Sequence, residues 1–89
     1  MTDLRRPSRA PEAELSGRGS EPVLTLAGRA LGLNETALAI WDLCDGRTTV
    51  DEMVVAVVEL TGIEPDHVRD DVVSALAELD RLGFVTLSD

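Results

Sequence analysis

The sequence predicts a small α+β domain of winged-helix character, an N-terminal antiparallel β-hairpin or three-stranded sheet followed by three α-helices. Three observations carry this. Residues 22–26 (PVLTL) and 29–33 (RALGL) flank Ala27-Gly28, the length of a two-residue hairpin loop. Three later segments repeat apolar residues at helical spacing, each bounded by cap and stop residues. The apolar residues, 44% of an 89-residue chain, are mostly Val, Leu and Ala, with one Trp, one Phe and no Tyr, which suits a single aliphatic core and leaves no second domain.

Residues 1–20, rich in Arg, Pro, Ser, Gly and Glu, hold too little apolar surface to offset their ordering entropy, and they are expected as a mostly flexible tail. A weak alternation near residues 13–16 marks a possible additional strand. The folded domain is expected over residues 21–89. In the hairpin, a register that sets residue 26 opposite 29 puts Leu24, Leu26, Leu31 and Leu33 on one face and Val23, Thr25, Ala30 and Gly32 on the other. The leucine face must lie on helices, since a lone hairpin is not stable in water.

Asn34 is placed to cap a first helix whose Ala37, Ile40, Trp41 and Cys44 share a face and which Asp45-Gly46 ends. Thr49-Val50-Asp51-Glu52 has the form of a capping box, opening a second helix with Met53, Val54, Val57 and Leu60 inward and Gly62 as its stop. The third helix starts around Glu64-Pro65 and runs to Leu82 before Gly83, with Val68, Val72, Ala75, Leu76, Leu79 and Leu82 as its core stripe. Phe84 to Leu87 then form a short apolar segment fit to pack or pair.

Charge is segregated: residues 1–20 hold four Arg against three acids, whereas residues 21–89 hold four Arg against fourteen acids, a net charge of −10. Such a surface repels phosphate backbones. The third helix, with Asp66, Asp70, Asp71, Glu78 and Asp80 against Arg69 and Arg81, is unlike a DNA-recognition helix, so no nucleic-acid partner is expected. One His and one Cys assemble neither a metal site nor a catalytic constellation, and neither enzyme activity nor a cofactor is expected. His67 reads as a solvated residue and Cys44 as a buried small hydrophobe. An acyl-carrier role needs a serine at a helix start, but Ser74 lies mid-helix. No apolar run approaches membrane-spanning length and the first residues lack a secretory core, so the expected location is cytoplasmic, without a membrane.

The pattern LNxTAxxIWxLxDG, read from Leu33 to Gly46, resembles the signature of the PqqD-like proteins, the recognition elements of ribosomally synthesised and post-translationally modified peptides (RiPPs). A second block, Asp71-Val72, Leu76, Leu79, Gly83 and Phe84, resembles the family's closing pattern at the proper distance. The resemblance implies a non-catalytic adaptor that binds the leader of a precursor peptide and presents it to a modifying enzyme, such as a radical S-adenosylmethionine protein or a leader peptidase. The alternative is a structural or interaction subunit of another complex.

The binding mode so implied is strand addition, an extended leader pairing with the open edge of Arg29, Ala30, Leu31, Gly32 and Leu33. Its side chains would enter a groove beside the third helix. A wheel count sets Val73 and Ala77 outside the core stripe with Arg69, Leu76 and Asp80 in neighbouring directions, and these five are the expected groove residues.

Overall fold

The computed structural model describes residues 2–88; Met1 and Asp89, the outermost residues of the expected tail and domain, lie outside them. Five strands, β1 (Ser8–Arg9), β2 (Glu14–Ser16), β3 (Val23–Leu26), β4 (Arg29–Gly32) and β5 (Val85–Thr86), accompany three helices, α1 (Glu35–Leu43), α2 (Val50–Thr61) and α3 (Pro65–Arg81). The sheet order is β2-β3-β4, all antiparallel, and β1 pairs separately with β5. Among the described residues no helix is long and apolar enough to cross a membrane.

The expected hairpin register is present, with Leu26 opposite Arg29 and Leu24 opposite Leu31. The weak alternation near residue 14 becomes β2, which sets Leu15 opposite Leu24 and completes a row of leucines across the sheet. Leu24 and Leu33 are buried, while Leu15, Leu26 and Leu31 pack half-buried against the core. The turn takes positive φ at both central residues, 51° at Ala27 and 82° at Gly28, the primed geometry that matches strand twist. Gly28 adopts this freely, but Ala27 brings a Cβ into the left-handed region at a strain of about 1 kcal/mol. Replacing Ala27 by Asn, which tolerates that conformation, is therefore expected to stabilise the fold by about 0.5–1 kcal/mol in urea melts read from the single Trp41.

Each helix begins as its sequence dictates. Asn34 Oδ1 accepts the Ala37 N–H at 2.7 Å to cap α1. Thr49 and Glu52 form the reciprocal capping box of α2, and Pro65 occupies the first turn of α3. In that box the Thr49 N–H donates to Glu52 Oε1 at 2.9 Å. This backbone donor, followed by the Thr49 hydroxyl, holds the Glu52 carboxyl below its ordinary 4.5. A carboxylate so lowered stabilises the fold above its unfolded pKa, and that contribution disappears as pH falls through the folded value. The stability advantage of the wild type over Glu52→Gln should thus be full above the ordinary glutamate pKa and fade as pH falls through the lowered folded value. Urea midpoints measured for both proteins across that range provide the check.

The core joins Leu24 and Leu33 of the hairpin segment, Ile40, Trp41 and Cys44, the inner faces of α2 and α3, and Phe84 and Val85. Leu60 departs from expectation. It was placed inward on α2 by spacing but is 66% exposed, because Val50, Met53, Val54 and Val57 centre the buried face elsewhere and the last turn projects past the core.

The first twenty residues also differ from the expected flexible tail. Pro7 is fully buried, and residues 3–10 form a strap between the α1–α2 corner and the chain's end. The strap carbonyls of Asp3, Arg5 and Pro7 accept the N–H groups of Asp51, Val50 and Gly46. Its own N–H groups at Arg6, Arg9 and Ala10 donate to the carbonyls of Ser88, Cys44 and Phe84. Asp51 and Val50 lie in the first turn of α2, so the strap satisfies donors that the helix itself leaves unpaired. The Arg9 guanidinium donates to the carbonyls of Trp41 and Asp42 at 3.0 and 2.9 Å and lies 5.9 Å from the Trp41 ring centre. α1 has no basic residue in its own last turn, and Arg9 supplies that charge from outside. Gly46 has φ 78°, and a Cβ there would meet Ser8 Oγ at 2.7 Å, so the strap passes where only glycine leaves room.

Candidate functional site

The open edge of β4 follows from hydrogen-bond alternation. In a two-residue hairpin the closing pair, Leu26 and Arg29, exchanges both bonds, and every second residue thereafter does the same. The Leu33 N–H donates to Pro22 O at 2.9 Å, which fixes the phase. Residues 29, 31 and 33 thus turn their backbone groups towards β3. Ala30 and Gly32 turn theirs away, and they alone among the five expected edge residues present an unpaired N–H and C=O outward. Leu31 and Leu33 contribute inward side chains instead.

α3 approaches this strand at its two ends. At the hairpin tip, Arg29 Nη1 donates to Leu82 O at 2.8 Å. At the other end Asn34, Thr36, Ala37 and Ile40 share a concavity of about 240 Å³ with Asp71 and Ala75. Residues 29–34 extended and residues 71–82 helical both span about 16 Å, so β4 and α3 flank one groove in opposite directions.

The flank of α3 nearest Asn34 carries Asp71 and Ala75, not Arg69 and Val73. Asp71, Ala75, Glu78 and Leu82 recur at spacings of four, three and four and make a single stripe beside the core face. Ala75 and Leu82 are half-buried and Asp71 and Glu78 exposed. Of the five residues expected there, Leu76 is fully buried in the core. Arg69 turns towards α2, where Nη1 meets Asp51 Oδ1 at 2.8 Å. Val73 (38% exposed), Ala77 and Asp80 are exposed, and the helical period sets them on Arg69's flank rather than with Ala75. The wheel locates the core stripe but cannot say which side meets the sheet. Ala75, the smallest residue of that stripe, was the available sign of a close approach.

Electrostatically the groove is uneven. Arg29 sits at the tip, and Glu78 is held by Arg81 at 2.6 Å, which lowers the Glu78 carboxyl pKa. The Asp71 carboxylate makes no hydrogen bond or ion pair with any described residue. The Cys44 thiol is buried, donates to Ile40 O at 3.2 Å, and is pushed up to about 12 by desolvation, which leaves it unreactive at neutral pH. His67 is exposed. Among the described residues no group of three or more His, Cys, Asp or Glu could hold a metal ion.

The family model described as coenzyme PQQ synthesis protein D (PqqD) matches residues 10–85, which begins within the strap and takes in β2. Among solved structures the chain is similar to the solution NMR structure of the PqqD truncation of Methylobacterium extorquens PqqCD, described as a functional and stand-alone RiPP recognition element. The match has a TM-score of 0.73 and 23% identity, covering 90% of this chain and 87% of that one. This likeness shows the shared fold. No curated protein matches the chain.

Proposed function

The chain belongs to the PqqD family, and from that premise we propose that it is a non-catalytic RiPP recognition element, a peptide chaperone that binds the leader of a precursor peptide and presents it to a modifying enzyme. The observation that carries this reading is the unpaired edge at Ala30 and Gly32, on a strand whose two ends α3 approaches. An exposed strand edge is an aggregation hazard unless a partner uses it. The leader adds as a fourth strand: its backbone pairs with Ala30 and Gly32, and alternate side chains enter the groove between β4 and the stripe Asp71, Ala75, Glu78 and Leu82. Presentation then needs only that the bound leader be held extended, with the modifying enzyme, such as a radical S-adenosylmethionine protein or a leader peptidase, acting on the segment beyond it. The setting is cytoplasmic, where precursor and enzyme are made.

The test is a fluorescence-anisotropy titration of a labelled leader, taken from the precursor encoded beside this gene, against the purified protein. Saturation at micromolar or tighter affinity supports the adaptor. No binding by the well-folded protein favours an interaction subunit of another complex instead.

A further inference from the structure

Resting on the reading above, we infer that the groove selects a leader with a lysine or arginine at one fixed position, seated against Asp71. The concavity at the Asn34 end of β4 is lined by apolar Ala37, Ile40 and Ala75, by Asn34 and Thr36, and by one charged group, Asp71. Asn34 is committed through Oδ1 to capping α1, and Glu35 already sets a negative charge at that helix's positive end, so the helix dipole does not call for an anion.

The arginines of the folded part that have side-chain partners nearby are turned elsewhere. Arg29 is bonded to Leu82 O, Arg69 to Asp51 and Arg81 to Glu78. Asp71 is thus an unneutralised carboxylate on a recess with an apolar side, Ala37, Ile40 and Ala75, and a polar one, Asn34 and Thr36, in a chain whose net charge is −9. A side chain with an aliphatic stem and a cationic head matches both parts: the stem covers Ala37, Ile40 and Ala75, and the head meets Asp71. The surrounding negative field steers such a peptide in. Because Arg29 lies at the opposite end of the groove, the same arrangement also sets the polarity of the added strand, cationic end towards Asn34.

A display library of random twelve-residue peptides, selected separately on the full chain, on Asp71→Arg, on Asp71→Asn and on Ala30→Pro, tests this. The wild type should enrich Lys or Arg at one position by about fivefold or more, the discrimination expected of a partly shielded ion pair. Asp71→Asn should lose that preference, and Asp71→Arg should replace it with Asp or Glu at the same position. Asp71 is exposed, and circular dichroism checks that these variants remain folded. Edge-dependent peptides without a positioned cation, or a cation that persists against Asp71→Arg, overturn the inference alone. Peptides that bind Ala30→Pro as well as the wild type overturn the edge-pairing reading itself.

Discussion

Deletion of residues 2–10 is expected to abolish cooperative unfolding at room temperature, leaving a chain with residual helix but no sharp transition in Trp41 fluorescence. Among the described residues, six backbone hydrogen bonds outside the strand pairs join the strap to the rest of the fold. At about 1 kcal/mol each they amount to about 6 kcal/mol. That is comparable with the whole stability of a domain this small. The loss is compounded by what remains behind. Val50 and Asp51 keep unpaired N–H groups at the start of α2, α1 loses the cation at its C-terminus, and the Phe84 carbonyl loses the Ala10 N–H. A urea midpoint unchanged by the deletion would show that the strap is dispensable. The single change Arg9→Ala separates the contributions: it removes the helix-end contacts and the Trp41 stacking but keeps the backbone pairing, and it should destabilise by about 1–2 kcal/mol.

Two proline substitutions one residue apart should behave oppositely. Ala30→Pro removes an N–H that points away from β3, so the hairpin ladder survives while an incoming strand loses one donor and meets the pyrrolidine ring. Leader affinity is expected to fall at least tenfold, the equivalent of about 1.4 kcal/mol, with the melting transition nearly unchanged. Leu31→Pro removes an N–H that donates within the hairpin opposite Leu24, and it should lower stability by about 3 kcal/mol before any binding is measured. Equal effects of the two on folding, or wild-type affinity in Ala30→Pro, would mean that the leader does not pair here. The contrast depends on the phase set by the Leu33 to Pro22 bond, which a strand assignment alone does not supply.

The helices and the hairpin were legible because their signals are local. Asn34, the Thr49 to Glu52 box, Pro65 and Ala27-Gly28 declare boundaries within a few residues of where they act. The strap was not legible, since its order comes from partners more than thirty residues away: Arg9 answers the end of α1, and Arg6 answers Ser88. Composition sees only missing apolar surface there, and hydrogen bonds supplied by distant backbone leave no mark on it. The candidate site was half legible. Spacing marks the edge strand, but it does not say which flank of α3, that of Val73 and Arg69 or that of Asp71 and Ala75, lies beside Asn34. Both flanks of that helix carry a mixture of acids and small apolar residues, and only the course of α1 relative to the hairpin decides between them.

The pairing of β1 with β5 has a consequence for assembly. Arg6 N–H reaches Ser88 O at 2.7 Å and continues this pairing past β5, whereas the residues before Arg6 run on to the start of α2. Because this ladder joins residues 8–9 to residues 85–86, it closes only after nearly all of the sequence has been synthesised, and it is the last of the pairings to form as the chain emerges.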